Sequence, residues 1–253
     1  MAIVNNKMTI ASGSKLVLTQ GYQRAVQQLS PLAYWRMSNS TTQVDIISGN
    51  NTTLTGTTTT GQTGAISSDT NKSVLFAGGR GDAGHPSAYN NLKTFSISCF
   101  IKLTATPDGN FRTLISQNNG SSLAGANRYI LTWVTGNPAT IGFEFWPDSS
   151  NRALSWTSTT ISTATWYHIV MTYDDAGDRK GRIYINGADS SYSFQTAATG
   201  TTKDASAFDW CIGNVPATGE PSGISWDGNI DEVAIFGTQL SASNVLALYN
   251  AST

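Results

Sequence analysis

Only 12% of the 253 residues are charged, against about a quarter in an average soluble protein. The formal net charge of −1, with no basic stripe, excludes an electrostatic footprint for nucleic acid or an anionic membrane surface. No apolar run reaches the roughly 18 to 20 residues that span a bilayer, and residues 1–8 lack the pattern of a Sec signal peptide. If the protein acts outside a cell, we expect it to leave by another route, such as lysis.

The N-terminal residues differ from the rest of the chain. Residues 10–18 are weakly strand-like, residues 22–29 suffice for two helical turns, and Pro31 ends them. We interpret residues 1–30 as an extension outside the core, able to dock on a neighbour by strand or helix addition. Residues 31–253 are interpreted as one domain.

Strand patterns separated by turns follow at residues 32–37, 73–76, 95–103, 112–116, 129–134, 140–146, 153–157, 166–173, 181–186, 210–212 and 228–236. Most of them alternate with period two, which predicts one buried and one wet face. The Thr/Gly-rich residues 52–64 indicate a surface loop, and one short helix is expected after Ser241. Together these patterns predict an all-β antiparallel sandwich of two sheets. Whether Cys99 and Cys211 meet in a disulfide stays open.

Seven segments then carry a family pattern, in order, at residues 30–36, 45–50, 61–65, 95–102, 166–170, 183–187 and 228–236, followed by Leu240-Ser241 and Leu248-Tyr249. Together they resemble the laminin-G-like branch of the concanavalin A-like lectin/glucanase superfamily, in the version found in phage and bacterial surface proteins. The resemblance implies a jelly roll over residues 31–253. It also implies that Trp35, Trp166 and Asp231 are structural, with Asp231 tying backbone at the sheet edge. Because this fold hosts lectins, glycosidases, adhesion modules and viral structural proteins, it does not fix a function.

The adjacent carboxylates of Asp231 and Glu232 suggest glycoside hydrolysis, which needs two carboxyl groups roughly 5 to 10 Å apart, facing one sugar. Neighbours on a regular strand point to opposite faces, so we expect these two not to act together. Related glucanases place their carboxylates at alternating positions, where this chain has Val233 and Ala234. We therefore assign no catalytic residue.

Other chemical motifs are weak. His85 and His168 are the only histidines, and His168 is expected to be a packing and hydrogen-bonding residue. A GxGxxG match in residues 79–84 is followed by His-Pro instead of a helix, and the Arg80-Gly81-Asp82 tripeptide within it is expected in a flexible turn. Zinc-ligand spacing is absent, so no metal and no cofactor is assigned. Calcium remains an open alternative at the loop aspartates of residues 82, 108, 174, 175 and 178.

A better binding candidate lies around Trp146. Odd positions of residues 141–145 are expected to be buried, which turns Glu144 and Trp146 outward, with Asp148 and Arg152 following in a loop. Sugars bind by stacking on flat rings beside polar groups, so this set is a candidate saccharide site. The alternative is that the tryptophans mostly serve the core.

These patterns favour a non-catalytic recognition or assembly module in a bacteriophage virion, as a capsid-decorating, tail or fibre-associated protein. Its expected partners are other virion proteins through residues 1–30, a cell-surface glycan and further copies of itself, with no nucleic acid and no membrane. The alternatives are a free carbohydrate-binding lectin, extracellular or at a cell surface, and more distantly a glycoside hydrolase.

Overall fold

The computed structural model of the chain describes residues 21–120, 127–216 and 224–253, within which two antiparallel β-sheets face each other as a sandwich. Every strand predicted from the sequence overlaps a strand of the structure. The all-β, two-sheet prediction is therefore confirmed.

The strands of the eight-stranded sheet are β1 (Ala33–Trp35), β4 (Thr58–Thr63), β5 (Lys72–Ala77), β7 (Thr94–Leu103), β12 (Tyr167–Asp174), β13 (Arg182–Ile185), β14 (Ala188–Asp189) and β17 (Asp227–Phe236). Their order is β14-β13-β12-β7-β17-β5-β4, and β1 pairs with the end of β17 that β5 leaves open. β17 therefore lies inside the sheet, with neighbours on both sides.

The strands of the nine-stranded sheet are β2 (Thr42–Gln43), β3 (Thr52–Thr55), β6 (Arg80–Gly84), β8 (Arg112–Asn118), β9 (Arg128–Thr135), β10 (Ala139–Phe145), β11 (Ala153–Ile161), β15 (Tyr192–Thr196) and β16 (Asp209–Ile212). Their order is β15-β11-β10-β9-β8-β16-β6-β3-β2. This sheet carries the Trp146 region at the end of β10.

The central core lies between the two sheets. β7 contributes Phe95, Ile97, Cys99 and Ile101 to it, which is the parity predicted from the sequence. Across the gap, Phe143 and Phe145 of β10 reach the same cluster. Period-two alternation thus places one side chain of every two in the core.

Both helices of the described chain, α1 (Gly21–Gln28) and α2 (Ala242–Asn250), cover the outer face of the eight-stranded sheet. Tyr22 and Val26 of α1 are buried there beside Val245 and Leu248 of α2. The outer face of β7, expected to be wet, is therefore buried. Ser241 caps α2 by accepting a hydrogen bond from the Asn244 N–H at 3.2 Å, as predicted.

Residues 1–30 were predicted to be an extension outside the core, and the structure corrects this prediction for residues 21–30. Tyr22 is fully buried, and its hydroxyl lies 3.1 Å from Ser98 Oγ and 3.1 Å from His168 Nε2. Because α1 packs on the sheet in this way, residues 21–30 are part of the folded domain. Residues 1–20 lie outside the described residues, and the docking arm stays a prediction there.

Residues 52–64, predicted as a surface loop, instead contain β3 and β4. Their threonines are β-branched and suit a pleated surface, which outweighs the turn-like composition. Similarly, Arg80-Gly81-Asp82 lies in β6, between β3 and β16, and not in a flexible turn.

Cys99 and Cys211 are both buried, lie on different sheets and form no disulfide, so the open question of a disulfide is answered in the negative. Burial raises the pKa of the Cys99 thiol to about 12. Among the described residues, neither helix has the length and apolar character to cross a membrane.

Candidate functional site

Asp231 and Glu232 lie at a β-bulge in β17. Asp231 is opposite Phe100 and Ala234 is opposite Ser98, so β17 has one residue more than β7 between these pairs. Glu232 adopts a φ of 52° within the bulge, in the left-handed region. The prediction that the two carboxylates point to opposite faces of a regular strand is therefore wrong.

The two carboxylates meet at one side chain. Asn71 Nδ2 lies 3.4 Å from Asp231 Oδ1 and 3.2 Å from Glu232 Oε1. Asp231 also accepts hydrogen bonds from the Ala65 N–H at 2.8 Å and the Glu232 N–H at 2.9 Å. These contacts tie Asp231 to the backbone of Ala65 and Glu232, and they lie at β17, which is an inner strand and not a sheet edge.

Glu232 is held by an ionic partner and a hydroxyl. Arg36 Nε and Nη2 donate to Glu232 Oε1 at 3.2 and 3.0 Å, and the Tyr34 hydroxyl donates to Glu232 Oε2. The same guanidinium also pairs with Asp69. Arg36 thus serves two carboxylates at once.

Solvent does not reach this acid pair, because Asp231 and Glu232 are each 1% exposed. Burial raises the pKa of Asp231, with a further contribution from the charge of Glu232. Burial also raises the pKa of Glu232, while Arg36 and Tyr34 act in the opposite direction. A cavity of about 230 Å³ is lined by Arg36 and Asn71, which both contact Glu232, but the two carboxylates do not line it. The two carboxylates are therefore closed to solvent in this structure.

The Trp146 cluster, defined here as Arg128, Glu144, Trp146 and Arg152, forms at the end of β10. Glu144 Oε2 accepts from Arg128 Nη1 at 3.0 Å and from the Trp146 indole N–H at 2.8 Å, and Oε1 accepts from Arg152 Nη1 at 2.9 Å. The guanidinium carbons of Arg128 and Arg152 lie 5.6 and 5.2 Å from the Trp146 ring centroid. One carboxylate therefore positions an indole and two cations.

The structure brings three of the four predicted ligand residues into contact. Glu144 lies on the outer face as predicted but is only 5% exposed, because its neighbours cover it. The Arg152 side chain remains 38% exposed and Trp146 is half-buried. Asp148 instead organises the next turn, accepting from the N–H groups of Ser150 and Asn151 at 2.7 and 2.8 Å.

Arg128 was missed by the sequence analysis. Its signal lies in the β9–β10 hairpin, where Thr135 pairs with Thr140. Continued along the two strands, this register places Trp146 opposite Tyr129, and the Trp146 N–H donates to the Tyr129 carbonyl at 2.9 Å. Arg128 is the neighbour of Tyr129 in the chain and therefore lies next to Trp146. The register of the hairpin, and not the local sequence, brings this arginine to the cluster.

His168 and Ser98 do not form an open nucleophile site, because both are fully buried. Ser98 Oγ and the Tyr22 hydroxyl lie 3.0 and 3.1 Å from His168 Nε2. Burial lowers the pKa of His168 to about 3. The imidazole therefore stays neutral.

Among the described residues there is no group of three or more His, Cys, Asp or Glu side chains placed to hold a metal ion. The aspartates named above as calcium candidates, of which Asp82 lies in β6 and Asp174 ends β12, accept hydrogen bonds from the protein: Asp175, for example, accepts from Tyr173, Arg179 and Thr202. Of the two predicted structural tryptophans, Trp35 is buried in the central core. Trp166 is half-buried beside the apolar residues that α1 and α2 cover on the outer face of the eight-stranded sheet, with Lys102 Nζ 4.8 Å from its ring centroid.

Comparison with known proteins gives a family match. A laminin G model, described as concanavalin A-like lectin/glucanases superfamily, matches residues 77–246, which is more than half of the chain. None of the curated proteins compared with the chain matches it.

Solved structures share the fold at low identity. The receptor-binding domain of botulinum neurotoxin mosaic serotype C/D is similar, with a TM-score of 0.62 at 16% identity over 87% of this chain and 50% of that chain. Trypanosoma rangeli sialidase in complex with 2,3-difluorosialic acid has a TM-score of 0.62 at 12% identity over 86% of this chain and 32% of that one. The chain thus spans half of the toxin domain and about a third of the sialidase. At these identities the likeness shows the fold alone.

Proposed function

Because the chain belongs to the concanavalin A-like lectin/glucanase superfamily, we propose that it is a non-catalytic recognition module whose ligand is a saccharide held at the Trp146 cluster. The proposal rests on one observation: the half-buried indole of Trp146 lies beside the guanidinium of Arg152, whose side chain is 38% exposed. A flat ring beside hydrogen-bond donors is the arrangement that holds sugars. The neurotoxin neighbour, a receptor-binding domain, supports a binding role for this fold.

The four predicted ligand residues then take different roles. Trp146 and Arg152 contact the saccharide, and Asp148 fixes the loop beside them. Glu144 is a positioning residue, because both of its oxygens already accept hydrogen bonds from the cluster. Two guanidiniums lie near the Trp146 ring, so the sugar stacks only on the ring surface that they leave open.

The placement of the glutamates supports a non-catalytic role. Glu144 lies in the nine-stranded sheet and Glu232 in the eight-stranded sheet, each buried in an ion pair. A glycosidase needs two carboxyl groups that face one sugar. Glu220 lies outside the described residues. A glycoside hydrolase remains the least favoured alternative, and release of reducing sugar from common polysaccharides would establish it.

A glycan array tests the saccharide site. We expect wild-type protein to bind at least one glycan and Trp146→Ala to lose at least about tenfold in affinity, or about 1.4 kcal/mol. Phe111→Ala is the matched control, because Phe111 is an exposed aromatic residue that precedes β8 and contacts Trp133 of β9, outside the cluster. Glu144→Gln should weaken binding less than Trp146→Ala. Equal binding by wild type and Trp146→Ala would overturn the assignment.

For the biological setting, we propose a bacteriophage virion, where the module decorates the capsid or belongs to the tail or fibre. The support is the ordered set of segments that resembles phage and bacterial surface proteins. Its proposed partners are other virion proteins, which it contacts through an N-terminal arm of residues 1–20, since residues 21–30 belong to the folded domain. The protein also forms homo-oligomers on the particle. A free lectin is the alternative. Co-sedimentation with particles of full-length protein, but not of a variant lacking residues 1–20, would support the virion role, and equal co-sedimentation would contradict it.

A further inference from the structure

A sheet edge presents backbone N–H and C=O groups that can pair with another strand, and proteins usually shorten, cover or charge such edges. Within the described ranges, the outermost strands are β14 and β4 in one sheet and β2 and β15 in the other, while β1, which pairs with β17, also meets Asp45 in a bridge at Trp35. Their protection is unequal.

Three edges are short or covered. β14 and β2 have two residues each, and α2 packs beside β14. β4 is longer, but its register against β5 is irregular. Its outer side is also occupied, because the Gly61 N–H donates to the Ser38 carbonyl at 3.3 Å and Thr60 Oγ1 donates to the Asn39 carbonyl at 3.1 Å.

β15 is the remaining edge. Within the described ranges this five-residue strand pairs on one side only, with β11. The segment from residue 190 to residue 202 contains no charged residue and no proline, so it lacks the usual protection against pairing. Phe194, opposite Trp156 in the ladder, is 48% exposed. The edge is therefore open and partly apolar.

We propose that two copies of this chain associate through β15, each strand pairing antiparallel with its equivalent, so that two nine-stranded sheets become one continuous sheet. The β15 edge is then the contact surface of the homo-oligomer proposed above. The dimer proposal rests on that homo-oligomer and not on the saccharide site. A second copy fits because a two-fold axis pairs a strand with itself, and an uncharged strand does not repel its own copy. Near the axis, the two Phe194 rings come within reach of each other as cross-strand neighbours.

The strength of the association follows from its size. Pairing of two five-residue strands buries less than the roughly 1,200 Å² of a stable interface. We therefore expect a reversible dimer whose population rises with protein concentration in sedimentation equilibrium.

Phe194→Lys places like charges across the axis and should weaken the dimer at least about tenfold. Phe111→Lys is the matched control, because Phe111 is 45% exposed and contacts Trp133 of β9, three strands from β15. It should leave association unchanged. Neither variant changes the Trp146 cluster, and Trp146→Ala should still dimerise, so failure of the dimer and failure of the saccharide site are distinguishable.

Cross-linking reports the pairing directly. Single cysteines introduced as Ser193→Cys, Phe194→Cys and Gln195→Cys should give an intermolecular disulfide at the position nearest the axis, and the buried native thiols should give little background. A wild type that stays monomeric at every concentration and forms no cross-link would overturn the proposal. So would Phe194→Lys dimerising as tightly as wild type. So would protection from hydrogen exchange, in the monomer, of the β15 amides that do not face β11, because it would mean that another segment of the same chain already pairs with the edge.

Discussion

The carboxylates of Asp231 and Glu232, neighbours on β17, both lie within hydrogen-bonding distance of one Asn71 amide nitrogen, at 3.4 and 3.2 Å. On a regular strand they would face opposite sides of the sheet. The bulge brings them together, and their burial leaves Arg36 as the cation that offsets the charge of Glu232. The pair that resembles a catalytic one in the sequence thus lies in a buried, hydrogen-bonded cluster.

We therefore expect Arg36→Met to reduce the free energy of unfolding by about 3–5 kcal/mol, because removing one partner leaves Glu232 and Asp69 as uncompensated buried acids. Urea unfolding at neutral pH measures the loss. Arg36→Lys should recover part of it, since the charge remains but the forked geometry does not. Arg24→Met, an exposed arginine of α1, is the control. A loss for Arg36→Met no larger than for Arg24→Met would contradict the prediction.

The long strands could be predicted because apolar alternation is a local property, and the resemblance supplied their arrangement. The bulge could not be predicted, since the rule that placed Asp231 and Glu232 on opposite faces assumes an unbroken ladder. The structure shows the break in the core, where Ile230 and Val233 share the central cluster although they are three residues apart. Short strands such as β3 and β4 were missed because their threonines carry no apolar pattern and depend on long-range pairing.

For the candidate site, alternation correctly grouped Glu144 with Trp146, because the two are separated by one residue on a single strand. It could not show that Glu144 is covered. That depends on Arg128, which only the hairpin register brings to β10. Contacts within one strand were accessible to sequence reasoning, and contacts between strands were not.

Gly142 is required by the indole that lies over it. A Cβ added at Gly142 would be 2.1 Å from Trp133 Cζ2, and Trp133 is nearly fully buried. We expect Gly142→Ala to reduce the free energy of unfolding by about 1–3 kcal/mol through overpacking. Thermal and urea unfolding would measure it.

The double variant Gly142→Ala/Trp133→Leu isolates that contact. Because the smaller Leu side chain leaves room for the new methyl group, Gly142→Ala should cost less in the Trp133→Leu background than in wild type, with a coupling energy of at least about 0.5 kcal/mol. Additive losses would show that the Gly142–Trp133 contact is not the cause.

Deletion of residues 1–30 and deletion of residues 1–20 should have different effects on stability. The longer deletion removes Tyr22 and Val26, which pack with α2 on the outer face of the eight-stranded sheet, and truncating a buried aromatic residue alone costs about 3–5 kcal/mol. The shorter deletion keeps both contacts, so the longer deletion should lower the free energy of unfolding more than the shorter one does. Tyr22→Phe should cost only about 1 kcal/mol, because it removes hydrogen bonds but not the ring. Equal stability of the two deletions would contradict the packed role of α1.

His168 should make the fold sensitive to acid. Burial lowers the pKa of His168 to about 3 in the folded protein, whereas an unfolded histidine titrates near 6.5. Between these values the unfolded chain binds a proton that the folded chain does not. The free energy of unfolding therefore falls as the pH decreases below about 6.5, by up to about 1.4 kcal/mol per pH unit. The loss ends only as the pH approaches the folded pKa.

His168→Gln removes this linkage, so its free energy of unfolding should fall less steeply than that of wild type between about pH 6 and pH 4. His85→Gln, which changes the other histidine, at an exposed position, is the comparison, and we expect the slope to change more in His168→Gln than in His85→Gln. Comparing slopes cancels the contribution of the carboxylates, which titrate in all three proteins. If His168→Gln has the wild-type slope, the proton is taken up elsewhere, and the buried imidazole is not the acid-sensitive group.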